Sequence, residues 1–170
     1  MKFFTMRSSS EWYDITTRRP PGRSTSAHCD TEHISILIKD VANKLGITSE
    51  HIIIYGSSAA GTAAIHIGQH VKKSMVVSLN GQFLPSPPDY LIKDFETTGH
   101  SLNDYSNIDT KKIILNSDFK LLLIANIRSK TDLDPLIELS NQLGAQLKYG
   151  ITTVNNINIC LYNSGFDEFQ

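Results

Sequence analysis

The residue types best able to do chemistry gather in one short stretch, Gly56-Ser57-Ser58-Ala59-Ala60-Gly61. It interrupts the apolar run Ile52-Ile53-Ile54-Tyr55 and leads into a helix-like pattern that reaches about Val71. Three readings compete for it. The first is a nucleophile elbow, written small-x-Ser-x-small between a strand and a helix. With Ser58 at the centre, Gly56 stands two before it and Ala60 two after. Larger side chains at those places would clash in so sharp a turn. The turn would expose the Ser58 hydroxyl, and the backbone N–H of Ala59 would serve as an oxyanion donor. Gly61 would let the helix approach neighbouring backbone closely.

The second reading is a phosphate loop, because Gly56 and Gly61 are five apart and Thr62 follows. The lysine that would hold the distal phosphates is absent, which weakens it. The third is a plain strand-to-helix connection, which small residues also build. The strand and helix on either side favour the elbow.

An activated serine needs a general base within hydrogen-bond reach. The six histidines are His28, His33, His51, His66, His70 and His100. His66 and His70 are four apart on the helix after Ser58 and would share one face. No glutamate lies between them as in H-E-x-x-H, so a zinc site is disfavoured. His100 lies in a polar segment from which it could approach only through a cap-like excursion, and loop histidines are usually solvated. His33 is expected at the surface.

The elements that must position these residues follow from periodicity. "KFFTM" reads as a short strand, and residues 7–30 as an irregular segment holding Arg18, Arg19, Arg23 and the pair Pro20-Pro21. Residues 31–45 read as an amphipathic helix with Ile34, Leu37, Ile38, Val41 and Leu45 on its apolar face. Asp30 or Thr31 would cap its start, and Gly46 suits the residue after its end. Residues 51–55, 74–80, 120–126 and 157–163 read as buried strands. Residues 84–118 form a cap-like or irregular insertion that opens with three prolines. Residues 132–144 read as a helix capped by Asp132 or Asp134, with Pro135 in its first turn and Gly144 at its end. Strands alternating with helices predict a mostly parallel sheet with helices on both faces, in one domain spanning residues 1–170. Ligands of such sheets gather at the carboxyl ends of the strands, where Ser58 stands.

Composition sets the frame. Of 170 residues, 40% are hydrophobic and 19% charged, as in an ordinary globular chain. A formal net charge of −1 supplies no global field toward nucleic acid or an anionic membrane. No apolar run approaches the roughly 20 residues of a membrane span. The two cysteines, Cys29 and Cys160, lie far apart without metal-ligand spacing. They read as reduced thiols, which predicts a cytoplasmic protein.

The stretch "IIIYGSSAAGTAAIHIGQHV", followed by "MVVSLNGQF", resembles α/β-hydrolase-like proteins, of serine esterase type, associated with bacterial surface polysaccharide biosynthesis. Their elbow usually reads Gly-Ser-Ser-Ala-Gly-Gly after a strand ending in Tyr-Gly, and their next strand often ends in Asn-Pro-Gln. Here that place holds Asn80, Gly81 and Gln82. The N-terminal "FFTMRSSSEWYD" is similar to a Phe-x-x-Arg-x-Ser element upstream in such proteins. The resemblance is close over about residues 50–83. Two departures stand out: Ala60 replaces Gly, and Gly81 replaces Pro.

The resemblance implies a three-layer α/β sandwich of α/β-hydrolase type, small and incomplete, acting on an ester of an acylated glycan. It implies Ser58 as nucleophile and an acid after a later strand, where Asn126 leads to Asp132 or Asp134. Asp132 is preferred because it comes sooner, and a capping role can coexist. It implies no cofactor and no metal. The histidine of the family follows the last strand, commonly as Gly-His. Here Phe166 follows Gly165, so the sequence reads as a chain shortened at its C-terminus and weak or inactive as an enzyme. The alternative is a hydrolase-like module that binds a glycan or protein partner without turnover.

Overall fold

The computed structural model describes residues 27–81 and 110–164. Five strands form one sheet: β1 (Ile53–Ser57), β2 (Met75–Leu79), β3 (Lys120–Asn126), β4 (Gly150–Val154) and β5 (Ile157–Tyr162). Four α-helices accompany them: α1 (Ala27–Lys44), α2 (Ala59–Gly68), α3 (Thr110–Leu115) and α4 (Lys130–Gln142). The spatial order is β1-β2-β3-β5-β4. All neighbours are parallel except β4, which runs antiparallel to β5. The mostly parallel α/β sheet expected from the alternating pattern is therefore present.

Each parallel crossover steps the same way, from β1 to β2 to β3 to β5. Right-handed connections then put every crossover helix on the same face. The register shows which residues that face holds. Ile54, Val76, Leu121 and Ile157 stand side by side, and Gly56, Ser78, Leu123 and Ile159 form the next row. The apolar members of both rows are buried in one core with Ala64, Ile65 and Ile67 of α2, Ile114 of α3 and Leu136 and Leu139 of α4. The opposite face carries Ile53 and Tyr55, which are 38% and 47% exposed, and the half-buried Val77, Leu79, Leu122 and Ile124. Helices on both faces were expected. Among the described residues they pack on one, because successive strands advance in a single direction.

Helix α2 is buried on almost every side, and its composition explains how. Ala60, Gly61, Ala63, Ala64 and Gly68 keep it thin, so the sheet lies under it and α1 and α3 flank it. Helix α1 starts by Ala27, earlier than expected, so Asp30 and Thr31 lie inside it rather than at its cap. Its buried side is Thr31, Ser35 and Ala42, while Leu37 and Leu45 are 63% and 47% exposed. Ile34 and Ile38 pack against the core as expected, half-buried beside this strip, whose small side chains lie against α2. There the Ser35 hydroxyl donates to the carbonyls of Thr31 and Ile67. Its end is as expected. Gly46 takes φ 65°, and Ile47 N–H donates to Ala42 O at 2.9 Å, a Schellman closure. Gly144 ends α4 in the same way, with φ 66° and Ala145 N–H on Ser140 O at 2.9 Å.

Three further differences concern the strands and α4. The first strand begins at Ile53 and runs through Gly56 to Ser57, because His51 is taken up in a 3-10 turn, Ser49–His51. Helix α4 starts at Lys130 with Ser129 at its cap, so neither Asp132 nor Asp134 is the cap. Pro135 consequently sits in the second turn and costs the helix one backbone bond. Strand β4 was not foreseen. A two-residue turn, Asn155-Asn156 with Asn155 at φ 53°, folds it back on β5. The "KFFTM" strand, the basic residues Arg18, Arg19 and Arg23 and most of the insertion at 84–118 lie outside the described residues. Of the insertion's last residues, 110–115 form α3.

Leu123 is fully buried in the middle of β3, whereas Ile151 on β4 is 59% exposed. Leu123→Ala is expected to cost about 2–5 kcal/mol in urea unfolding, and Ile151→Ala no more than about 0.5 kcal/mol. Equal effects would contradict the one-sided core.

Candidate active site at the carboxyl ends of the strands

Strand β1 ends at Ser57 and helix α2 begins at Ala59, so the connection is a single residue, Ser58. Its backbone sits at φ 55° and ψ −128°. A residue with a side chain adopts such a conformation rarely and at a cost of about 1–3 kcal/mol. Specific bonds hold it there. Ser58 N–H donates to Leu79 O at 2.8 Å, and Ser58 O accepts from Gly61 N–H at 2.9 Å and Thr62 N–H at 3.3 Å.

Glycines make room for the turn. A side chain at Gly56 would overlap the carbonyl of Ala60. One at Gly61 would come within 2.7 Å of the Ser78 hydroxyl and 3.2 Å of the Gly56 carbonyl. Ala60 itself is accommodated and buried. The brevity of the connection also removes the phosphate-loop reading. Such a loop wraps an anion with successive backbone N–H groups, but Gly56 is paired in the sheet opposite Ser78.

Ser58 is half-buried at the carboxyl end of β1. As the first residue of α2, Ala59 carries a backbone N–H that the helix cannot use. The helix dipole adds partial positive charge at the same point. Negative charge developing on a carbonyl oxygen beside Ser58 would therefore be stabilised there.

The neighbouring strand ends are polar. Asn80 follows β2 at φ 47°, its N–H donates to Ile124 O at 2.7 Å, and its Nδ2 donates to the Tyr162 hydroxyl at 3.3 Å. Because Ser58 N–H binds Leu79 O, Asn80 is next to the turn. Asn126 ends β3 and is fully buried. Its Oδ1 accepts from Arg128 N–H at 3.1 Å and its Nδ2 donates to the Ser164 hydroxyl at 2.9 Å, tying the turn after β3 to the one after β5.

Asp132 is the third residue of α4 and 5% exposed. A carboxylate is favoured in the first turn of a helix. Asp134, two residues on, is exposed.

No described histidine side chain reaches Ser58. His66 lies eight residues along from it, about 12 Å at the helical rise, and its Nε2 is 2.9 Å from the Thr110 hydroxyl. His70 lies farther on, with its Nε2 3.0 Å from Gln69 Nε2. His33 is exposed on α1, near the Ser35 that reaches Ile67 at the far end of α2. His51 bonds to Thr48 at the opposite end of β1. His100, Gln82, Gly165 and Phe166 lie outside the described residues.

Sequence reasoning missed Tyr162 and Ser164. The available signal was the polar sequence Tyr162-Asn163-Ser164 closing an apolar strand. A groove of about 490 Å³ lined by Lys39, Asn43, Thr48, Ser49 and Ile52 lies at the amino end of β1, away from Ser58. There the Thr48 hydroxyl is 2.8 Å from His51 Nδ1 in an exposed setting.

A strained Ser58 predicts an inequality between two substitutions. Glycine takes φ 55° without a side-chain clash and alanine does not. Ser58→Gly is expected to be about 1 kcal/mol more stable than Ser58→Ala in urea unfolding. An alanine variant as stable as the glycine one would mean that the turn is relaxed.

No protein-family model, no curated protein and no solved structure matches this chain. Any chemistry assigned to the site is therefore argued from its own geometry and from the resemblance of residues 50–83.

Proposed function

We propose that the chain is a serine hydrolase or acyl transferase of α/β-hydrolase type, acting on an ester of an acylated glycan in the cytoplasm. The observation that carries this reading is the backbone of Ser58, strained at φ 55° and ψ −128° between a parallel strand and a buried helix. A turn that costs free energy is retained where it does something, and this one presents a hydroxyl beside a helix N-terminus. The order along the chain supports it: Ser58 follows β1, Asp132 follows β3, and β5 comes after. The glycan and the compartment rest on the resemblance and on the two widely spaced cysteines, of which Cys160 is a free thiol.

In the reaction the Ser58 hydroxyl attacks the acyl carbonyl, losing its proton to a base. The oxyanion sits against Ala59 N–H and the end of α2. Collapse expels the alcohol, and water or a second alcohol takes the acyl group from Ser58. Asp132 orients and charge-stabilises a histidine base. The distance of the described histidines from Ser58 favours low activity. It also favours the second reading, a hydrolase-like module that binds a glycan or protein partner without turnover.

A fluorophosphonate probe tests the nucleophile. Labelling is expected in the wild type and in Ser57→Ala, and not in Ser58→Ala. Absence of labelling on folded wild type both with and without added imidazole would favour the binding module. Free imidazole tests the base. If Ser58 lacks only its base, imidazole at tens of millimolar should raise the rate of Ser58 acylation by p-nitrophenyl acetate at least about tenfold, from the range of general base catalysis. The increment is read against Ser58→Ala under the same conditions, and its absence would argue that the carbonyl is not positioned for attack.

A further inference from the structure

The strand order sets the ends of β1, β2, β3 and β5 in a row. Adjacent ends are about 4.8 Å apart, so those of β2 and β5 are separated by roughly 10 Å with β3 between them. The Tyr162 side chain and Asn80 close that gap, since Asn80 Nδ2 donates to the Tyr162 hydroxyl at 3.3 Å. The pair thus passes across the end of β3, with Ser58 beside its Asn80 end. Both residues are half-buried.

We propose that Asn80 and Tyr162 form the contact surface for the sugar ring of the ester, lying across the end of β3 with the acyl group directed toward Ser58. The proposal rests on the reading of Ser58 as the acyl-accepting residue and adds to it the part of the site that holds the alcohol. Three observations carry it. First, the groups offered are neutral. An amide and a phenol match the hydroxyls of a polyol, whereas a phosphate or carboxylate calls for a cationic donor. Two of the charged residues that follow β3, Arg128 and Asp132, each make interactions of their own. Second, the Tyr162 hydroxyl accepts from Asn80 and keeps its own proton to donate, while its ring supplies the flat apolar area against which the C–H face of a pyranose packs. Third, Asn80 is fixed before any ligand arrives. Its φ of 47° is held by the 2.7 Å bond to Ile124 O. A preset amide loses little freedom on binding.

The test is ligand-observed saturation-transfer NMR on the full chain with a panel of mono-O-acetylated methyl pyranosides of gluco, galacto and N-acetylglucosamine type. The wild type is expected to bind at least one member with Kd on the order of 1 mM. Tyr162→Phe, which keeps the ring, and Asn80→Gly, which suits the positive φ, should each weaken that binding at least fivefold. Ile151→Ala, exposed on the remote strand β4, should leave both sugar binding and fluorophosphonate labelling of Ser58 within twofold of wild type. Should Tyr162→Phe or Asn80→Gly fail to fold, the other carries the comparison. No binding of any panel member, or unchanged affinity in both variants, overturns the proposal even if Ser58 labels. Sugar binding that depends on Tyr162 without labelling of Ser58 upholds the contact surface and removes the hydrolase reading instead.

Discussion

The closeness of α2 to strands β1 and β2 governs everything around it. Three glycines on this contact have no room for a side chain: Gly56 against the Ala60 carbonyl, Gly61 against Ser78, and Gly68 against Val76. Two of these are helix residues and one is a strand residue, so the restriction comes from both partners. It accounts for the alanine-rich composition of α2 and for the single-residue link at Ser58. With the helix starting directly over the strand it has just left, the chain must reverse within one residue. That reversal needs a backbone conformation that side chains disfavour. The strain at Ser58 is thus the local expression of a packing distance set along the whole length of α2.

The polar row at the strand ends depends on the same arrangement. Ser58 is tied to β2 through Leu79, Asn80 is tied to β3 through Ile124 and to β5 through Tyr162, and Asn126 is tied to Ser164. Each bond joins one strand end to another strand end or to the segment that follows it. The row is therefore rigid in the way the sheet is rigid, although its members belong to turns. Two of its residues, Ser58 and Asn80, carry positive φ without being glycine. Their strain is maintained by hydrogen bonds to the next strand, so the candidate site cannot relax unless the sheet itself opens.

How much of this could be read from the sequence varied with the kind of signal. Strands β2, β3 and β5 were legible within a residue at each end, because apolar runs bounded by polar residues mark buried strands well. The turn at Ser58 was legible because only small residues fit it. The inward face of α1 was read in part. Ile34 and Ile38 pack against the core as periodicity indicated, whereas Leu37 and Leu45 are exposed and the close contact with α2 buries Thr31, Ser35 and Ala42 most deeply. Size against a neighbour, which a single sequence does not display, outweighed hydrophobicity. The start of α4 was misplaced because Asp132 is a good cap by type but lies three residues past Ser129. Strand β4 was overlooked although Asn155-Asn156 between β-branched residues is a hairpin signal. The link from Asn80 to Tyr162 spans 82 residues of chain and has no local mark at all.

The order β3-β5-β4 has a consequence for how the chain is assembled. Strand β5 is made after β4 yet lies inside it, and among the described residues β4 pairs with the sheet only through β5. A nascent polypeptide emerging from the ribosome as far as β4 has nowhere to dock that strand. Only when β5 slots in beside β3 do both join at once, bringing Tyr162 and Ser164 to the carboxyl ends of β2 and β3 in the same event. The links from Asn80 to Tyr162 and from Asn126 to Ser164 are therefore absent from every shorter translation intermediate.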